Sequence, residues 1–276
     1  MNISAKTKIC LVIGDQVEHS LSPAIHNAAY EALGIDDQFV FAAARVKVEN
    51  VGKVIEAMRV MNLRGLSCTL PHKLEVMKYL DEIDPVAREI GAVNTVINDN
   101  GVLKGYNTDW LGAIKPLEKV TSLVGKKVAL LGAGGAARAI AYGVMAKGAK
   151  LKIFNRTVEK AQELARELAH DSNDITAGSL KKIAEVKNYD IIINSTSVWM
   201  RPHQNESLVP AELFSAGQIV QEAVYVPRKT KLLQDAEVRG ARVISGLEVL
   251  LYQGVEQFKL YTGREAPVEV MRRVLE

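Results

Sequence analysis

The sequence predicts an α/β protein of two domains, each built on parallel strands covered by helices. Short apolar runs rich in β-branched residues alternate with segments of helical periodicity along the chain, which is the pattern of strands joined by crossover helices. A glycine-rich turn stands between a strand and a helix near the middle of the sequence. The 276 residues also exceed the length over which one hydrophobic core usually extends. Two cores are therefore expected.

The first half of the chain supplies four predicted strands and three predicted helices. The strands are Ile9–Ile13, Phe39–Ala43, Gly65–Thr69 and Val93–Ile97, and the helices are Pro23–Leu33, Val48–Met61 and His72–Leu80. Pro23 and Pro71 mark two helix starts, because proline suits the first turn, where its missing N–H is not needed.

The second half repeats the alternation. Its predicted elements are the strand Lys127–Leu131, the helix Ala136–Lys147 and the strands Lys150–Phe154, Asp190–Asn194, Ile219–Val224 and Arg242–Ile244, followed by C-terminal helices. The segment KPLEKVTSLVG, residues 115–125, separates the two alternations and is predicted as the domain boundary.

Composition and charge argue against several classes of protein. The 35 basic and 32 acidic residues leave a net charge of +3, too little for a nucleic-acid surface. The only cysteines are Cys10 and Cys68, and their spacing is not that of metal ligands. We therefore expect neither a disulfide framework nor a metal site, and we expect the protein to work in a reducing compartment. The most apolar stretch, Val128–Ala146, is broken by Arg138, and the N-terminus lacks the apolar run of a secretory signal. We expect no membrane span and a cytoplasmic location.

The sequence GAGGAAR, starting at Gly132, matches the dinucleotide-binding pattern G-x-G-x-x-G/A, with Ala137 in the third place. Gly132 allows a tight turn, Gly134 lets the backbone approach a pyrophosphate, and the helix N-terminus supplies N–H donors and positive potential. A glycine turn used only for packing is the alternative. The position between a strand and a helix favours the nucleotide site.

The end of the second predicted strand of this domain indicates which nucleotide binds. NAD sites usually place Asp or Glu there to bond the ribose hydroxyl. This chain has Asn155, Arg156 and Thr157, with Lys160 one turn later. A guanidinium pairs with a 2′-phosphate, whereas a carboxylate would repel it. The pattern favours NADP, and a merely solvated Arg156 is the alternative.

Polar clusters stand at or just beyond predicted strand ends in the first domain. They are HSLSP at 19–23, SCTLPHK at 67–73, GAVNT at 91–95 and GYNTD at 105–109. Taken singly, their residues fit helix caps, turns and surface lysines. Together they lie where open α/β sheets bind ligands. We expect a small polyhydroxylated acid as the ligand, with a lysine and a carboxylate as a proton-exchanging pair.

These motifs resemble the shikimate dehydrogenase family over essentially the whole chain. The likeness rests on SLSPAIHN, TLPHK, GAVNT, GYNTD, GAGGAAR, NRT, VYVPRKTKLL and GLEVLLYQGVEQF. It implies NADPH-dependent reduction of 3-dehydroshikimate to shikimate in aromatic amino-acid biosynthesis. It further implies a substrate domain of residues 1–112, completed by 246–276, and a Rossmann NADP-binding domain of residues 113–245. A homodimer is left open as the assembly.

The resemblance also assigns roles to individual residues. The family's catalytic lysine falls on Lys73 and its aspartate on Asp109. Substrate contacts fall on Ser20, Ser22, Thr69, Lys73, Asn94, Asp109, Tyr225 and Gln253. Cofactor contacts fall on Gly132, Ala133, Gly134, Gly135, Ala136, Asn155, Arg156, Thr157, Lys160, Ala223 and Gly246. The expected chemistry is hydride transfer at a substrate carbonyl with proton donation by Lys73.

The chain departs from the family pattern at several positions. Ser67-Cys68 replaces Asn-Val. Trp199 stands where the family has glycine, which predicts a weakened or reshaped cofactor site, because tryptophan adds bulk and lacks glycine's backbone freedom. Glu222 replaces an aspartate, and Val249 replaces a methionine.

Two other functions remain as alternatives. A quinate/shikimate dehydrogenase using NAD is disfavoured by Arg156 and by the presence of both Ser20 and Ser22. A non-catalytic NADPH-sensing protein is compatible with Trp199 and Glu222, but Lys73 and Asp109 are both present.

Overall fold

The computed structural model describes residues 3–169, 174–196, 198 and 206–276. It divides into two compact units. The first unit comprises Met1–Thr108 and Gln253–Glu276, and the second comprises Asp109–Tyr252.

Twelve strands and ten α-helices are described. The strands are β1 (Lys8–Gly14), β2 (Phe39–Arg45), β3 (Gly65–Cys68), β4 (Glu82–Ile83), β5 (Thr95–Asp99), β6 (Val102–Tyr106), β7 (Lys127–Leu131), β8 (Lys150–Asn155), β9 (Ile175–Ser179), β10 (Ile191–Asn194), β11 (Ile219–Glu222) and β12 (Arg242–Ile244). The helices are α1 (Ser22–Ala32), α2 (Val51–Val60), α3 (His72–Glu75), α4 (Pro85–Ile90), α5 (Asp109–Glu118), α6 (Gly135–Ala146), α7 (Val158–Leu168), α8 (Lys231–Val238), α9 (Gly246–Thr262) and α10 (Val268–Leu275).

The sheet of the first unit is mixed, with the strand order β2-β1-β3-β5-β6-β4. β1 pairs in parallel with β2 and β3, but β5 runs antiparallel to both β3 and β6. The predicted parallel pairing therefore holds for β1 with β2 and β3 and for β4 with β6, but not for β5. Asn100 and Gly101 join β5 to β6 with φ angles of 54° and 92°. This two-residue turn is the tight hairpin connection that antiparallel strands permit.

The sheet of the second unit is parallel throughout, with the order β12-β11-β10-β7-β8-β9. Its first strand, β7, lies between the second strand of one half and the first strand of the other. This is the doubly wound Rossmann arrangement, in which ligands bind beyond the carboxyl ends of the strands at the point where the order reverses.

Each sheet holds its own apolar core. In the second unit, Val128 and Leu130 of β7 belong to one buried cluster and Ala129 and Leu131 to another. Alternate side chains of a strand point to opposite faces, so helices cover both sides of this sheet. In the first unit, Leu66 of β3 lies in a buried cluster with residues of α2, α4 and β6.

The unit limits differ from the predicted domains 1–112 and 113–245. α5 runs continuously from Asp109 to Glu118, so the helix includes the first four residues of the predicted boundary segment 115–125. The second division falls between Tyr252 and Gln253, inside α9. The assignment of substrate to one unit and cofactor to the other stays a prediction. Within the described ranges, no helix has the length and apolar content needed to span a bilayer.

Candidate active site and nucleotide site

Thr69 and Lys73 follow the end of β3. The Thr69 N–H donates to the Ile13 carbonyl at 2.9 Å, and its own carbonyl accepts from the His72 N–H at 2.8 Å. A Cβ placed on Gly14 would lie 2.5 Å from Cγ2 of Thr69, so glycine leaves the space that Thr69 occupies. These contacts fix Thr69 beside the carboxyl end of β1, where the sequence predicted a substrate contact.

Lys73 lies on the short helix α3 and is half-buried. Its carbonyl accepts the Val93 N–H at 2.9 Å, which joins α3 to the residue before Asn94. Burial raises the pKa of the Cys68 thiol to about 12, and the Lys73 charge opposes that shift. The ammonium therefore acts electrostatically on the end of β3.

Asn94 is buried directly before β5 and makes several side-chain hydrogen bonds. Its Oδ1 accepts the Thr95 hydroxyl and the Thr108 N–H, both at 2.8 Å, and its Nδ2 donates to Thr108 Oγ1 at 3.0 Å. Asn107 donates through Nδ2 to the Ala92 carbonyl at 2.9 Å. The motifs GAVNT and GYNTD, which nine residues separate, are thus brought together by the β5–β6 hairpin.

Ser20 and Ser22 precede and begin α1. The Ser22 N–H donates to Ser20 Oγ at 3.3 Å, and the Ser20 N–H donates to the Val17 carbonyl at 3.0 Å. Leu21 is the N-cap residue of α1, and its side chain makes no cap hydrogen bond. Ser22, which taken singly fits a helix cap, is instead the first residue of the helix. Thr69 is not a cap either, since Pro71 is the N-cap of α3.

The remaining predicted substrate residues fall in both units. Gln253 is buried on α9 in the first unit, whereas Asp109 begins α5 in the second unit and Tyr225 follows β11. Asp109 comes directly after Thr108, whose backbone N–H is bonded to Asn94. The pairing of Asp109 with Lys73 stays a prediction.

The glycine turn lies between β7 and α6, as predicted, and α6 begins at Gly135, one residue before the predicted start. Gly132 has a φ of +111°, and a Cβ there would lie 2.6 Å from Ser195 Oγ. At Gly134, no heavy atom of the described residues other than its neighbours in the chain lies within 4 Å of the Cβ position. The turn therefore leaves an open approach at the N-terminus of α6, which suits a pyrophosphate. Ala133 and Ala136, with their small side chains, flank this approach.

The predicted phosphate-selecting residues follow β8. Asn155 ends the strand and donates through Nδ2 to the Thr157 carbonyl at 2.8 Å, which closes the turn before α7. Arg156, Thr157 and Lys160 are exposed. An exposed guanidinium and ammonium at this position suit the 2′-phosphate of NADP.

Gly246, the first residue of α9, lies against Val224, which directly follows Ala223. The Ala223 N–H donates to the Asn194 carbonyl at 2.9 Å, extending the β10–β11 pairing by one residue. A Cβ on Gly246 would overlap the Val224 carbonyl oxygen. Glycine at the start of α9 is thus required for the close approach of the helix to this segment.

Glu222 is a site-adjacent residue whose role the sequence did not indicate. It is fully buried at the end of β11, and its Oε1 accepts from Asn194 Nδ2 at 2.9 Å and from the N–H groups of Ala223 and Val224 at 3.1 and 3.2 Å. Its Oε2 accepts from Thr230 Oγ1 at 3.1 Å. Burial raises its pKa to about 7, against the effect of these donors. The one sequence feature that pointed to this position was the replacement of the family's aspartate by Glu222.

The predicted effect of Trp199 on the cofactor site concerns a residue outside the described ranges. Val249 lies on α9, and nothing in the structure explains its substitution.

The second unit combines a doubly wound parallel sheet, an open glycine turn and exposed cations after the second strand. The first unit adds a lysine and bonded amide and hydroxyl groups near strand ends. These features define a nicotinamide-nucleotide-dependent oxidoreductase of two α/β units.

Three family models match separate parts of the chain. "Shikimate dehydrogenase substrate binding domain" matches residues 12–96, "Shikimate / quinate 5-dehydrogenase" matches 116–214, and "Shikimate 5'-dehydrogenase C-terminal domain" matches 246–276. The shikimate dehydrogenase (NADP(+)) of Methanothermobacter thermautotrophicus is 44% identical, with 99% of this chain and 97% of the relative covered. The chain belongs to the shikimate dehydrogenase family.

Solved structures agree with this assignment over both units. A shikimate dehydrogenase crystallised with NADP+ has a TM-score of 0.93 and 42% identity, covering 99% of this chain and 96% of the other. The Thermus thermophilus shikimate 5-dehydrogenase, in complex with NADP(H) and shikimate, has a TM-score of 0.89 and 33% identity, with 98% of each chain covered.

Proposed function

We propose that the chain catalyses the reversible, NADP-dependent interconversion of shikimate and 3-dehydroshikimate, with Lys73 and Asp109 as its proton-handling pair. The observation that carries this proposal is the hydrogen bond from the Val93 N–H to the Lys73 carbonyl, which holds α3 beside the polar group of Asn94 and Thr108. The other unit of the same chain supplies the glycine turn and the exposed Arg156.

The substrate's polar groups are assigned to residues of matching chemistry. Ser20 and Ser22 hold the carboxylate through hydroxyl and backbone donors. The ring hydroxyls are bound by amide, hydroxyl and carboxylate groups. These belong to Thr69, Asn94, Asp109, Tyr225 and Gln253. A polyhydroxylated ring needs such donors and acceptors, because leaving its hydroxyls unpaired in a closed site would cost binding energy.

Bound at the glycine turn, the nicotinamide nucleotide supplies hydride transfer to and from the substrate carbon. The residues from Gly132 to Ala136 hold its pyrophosphate through backbone N–H groups. Asn155, Arg156, Thr157 and Lys160 bind the adenosine ribose and its 2′-phosphate. Ala223 and Gly246 bind the nicotinamide end.

Lys73 handles the proton. In the reductive direction, negative charge develops on the substrate carbonyl oxygen and the Lys73 ammonium donates its proton there. In the oxidative direction the neutral amine accepts the proton of the hydroxyl. Asp109 orients Lys73 and accepts a hydrogen bond from a neighbouring ring hydroxyl.

The two alternative functions are less well supported. The chain has no carboxylate in the segment Asn155–Thr157 that would select NAD, and both serines that suit shikimate are present. A sensor without turnover would not need a lysine and an aspartate matched to proton transfer.

Replacement of Lys73 by Met tests the assignment, because methionine fills a similar volume without an ammonium. Lys73→Met should lower kcat about 10²- to 10⁴-fold with little change in the KM for shikimate. The measurement is the rate of absorbance change at 340 nm, with Lys53→Met, an exposed position on α2, as the matched control. Near-normal turnover by Lys73→Met would refute its role.

We also propose that the protein works in the cytoplasm and forms a homodimer. Cys10 and Cys68 are both free thiols, which suits a reducing compartment. Sedimentation of the purified chain tests the dimer.

A further inference from the structure

A buried polar network connects α9 to the proposed substrate residue Asn94. Gln257 on α9 is fully buried and donates through Nε2 to Ser67 Oγ and to Thr95 Oγ1, both at 3.0 Å. Ser67 belongs to β3 and Thr95 to β5, so one amide group joins the helix to two neighbouring strands. All of these residues lie in the first unit.

The hydrogen bonds of this network run in one direction. The Thr95 hydroxyl donates its single proton to Asn94 Oδ1 at 2.8 Å, and its oxygen therefore accepts from Gln257. The Thr108 N–H, which can only donate, also points to Asn94 Oδ1 at 2.8 Å. A flipped Asn94 amide would place its NH₂ group against two donors. Asn94 is thus held with Oδ1 toward Thr95 and Nδ2 toward Thr108.

We propose that Gln257 is a positioning residue, which acts through the Thr95 hydroxyl to fix the orientation of the Asn94 amide and thereby sets the affinity for the substrate. This inference rests on the proposed function, in which Asn94 contacts a ring hydroxyl. Gln257 itself does not contact the substrate.

The physical reason lies in the freedom of a hydroxyl group. A threonine O–H can rotate toward any nearby acceptor, and the donor that occupies its lone pair restricts that choice. With the Gln257 amide in place, the Thr95 proton is directed to Asn94. Without it, the Thr95 hydroxyl is free to turn away from Asn94, and the Asn94 oxygen loses one of the two 2.8 Å hydrogen bonds that hold its orientation. Asn94 then presents a mixture of orientations to the substrate.

Kinetics of isosteric variants test this inference. Gln257→Met keeps the volume and removes the donor, Thr95→Val removes the hydroxyl, and Thr95→Ser keeps it. We expect Gln257→Met and Thr95→Val each to raise the KM for shikimate about 5- to 20-fold, with kcat changed less and the KM for NADP within about twofold, since Asn94 contributes to binding in both ground and transition states.

The double variant separates a shared pathway from two independent effects. Gln257→Met combined with Thr95→Val should raise the KM for shikimate no further than the larger single effect, because both remove the same relay. Thr95→Ser should keep a KM close to that of the wild type. If Gln257→Met does not fold, Gln257→Asn takes its place, because its amide is one methylene too short to reach Thr95.

Three results would overturn the proposal. The first is a KM for shikimate that does not change in the Gln257 variant. The second is a double variant whose increase in KM equals the product of the two single increases. The third is a KM for Thr95→Ser that is raised as much as that of Thr95→Val. A loss of thermal stability alone would assign Gln257 a structural role only. If the wild-type chain did not oxidise shikimate at all, the proposed function would fail, and that outcome is distinct from an active wild type with unaffected variants.

Discussion

The two units differ in the groups that they bury beside their site residues. In the first unit the polar network consists of neutral amides and hydroxyls, from Gln257 to Asn94, and packs near His26, whose ring stacks on Phe41 with centroids 4.4 Å apart. In the second unit the network is centred on an acid, Glu222, and its partners are neutral donors. One unit buries a base and the other an acid.

This difference gives the two units opposite responses to pH. Burial lowers the pKa of His26 to about 3, with Gln257 opposing the shift, and raises the pKa of Glu222 to about 7. The folded first unit therefore binds fewer protons at His26 than the unfolded chain does, and the folded second unit binds more at Glu222. By linkage, acid destabilises the former and rising pH destabilises the latter.

The largest expected effect is at Glu222. Its pKa is about 7 in the folded state and 4.5 as the ordinary value, so its contribution to stability is present at low pH and is lost as the pH rises from about 4.5 through 7. Glu222→Gln removes this titration. The free energy of unfolding of Glu222→Gln minus that of wild type should be higher at pH 8 than at pH 5 by about 2 to 3 kcal/mol.

Urea unfolding followed by tryptophan fluorescence measures this change, since both tryptophans of the sequence fall within residues 109–252. Glu212→Gln, at an exposed position, controls for the loss of one negative charge. A difference between Glu222→Gln and wild type that stays constant from pH 5 to pH 8 would mean that Glu222 does not titrate in this range.

A smaller effect of opposite sign is expected at His26. Its pKa is about 3 in the folded state and 6.5 as the ordinary value. The contribution of His26 to the free energy of unfolding is therefore fully present above pH 6.5 and is lost as the pH drops toward 3. His26→Asn loses ring stacking at every pH but removes the titration. Its deficit relative to wild type should shrink by about 2 kcal/mol between pH 7 and pH 5.

Hydrogen exchange of peptides from α1 and β2 reports this change within the first unit. Wild type and variant are compared at each pH, which cancels the intrinsic pH dependence of exchange. His19→Asn provides the exposed control. A deficit that grows on acidification would contradict the comparison between the units.

The fold of the second unit was more predictable from the sequence than that of the first. Several of its strands are apolar runs, of which Ile191–Asn194 is fully buried, and they alternate with helical patterns. The strand that the sequence analysis missed in this unit is β9, in which only two of the five residues are buried. In the first unit the sequence analysis missed β6 and the antiparallel pairing of β5. The Asn100-Gly101 pair was the overlooked signal, because both residues adopt positive φ in the two-residue hairpin turn.

For the candidate site, the sequence could predict the types of residue involved and their positions relative to strand ends. Thr69 follows the end of β3, and the Asn94 carbonyl accepts the Cys68 N–H at 2.7 Å, which places Asn94 at the same strand end. The binding roles of these two residues and of the open turn at Gly134 stay predictions. The partners of Gln257 and Glu222 were not predictable, because these contacts join segments up to 190 positions apart and depend on packing. The sequence shows that Gln257 lies one helical turn after Gln253, but it does not identify Ser67 and Thr95 as the groups that Gln257 bonds.

The most direct test of the central claim is the value of kcat/KM, measured at 340 nm, for shikimate and quinate with NADP and NAD in all four pairs. Shikimate with NADP should exceed each other pair by at least about tenfold, which corresponds to about 1.4 kcal/mol of discrimination by the serine pair or by Arg156. A preference for quinate with NAD would contradict the account, as would tight binding of NADPH with no turnover of any pair.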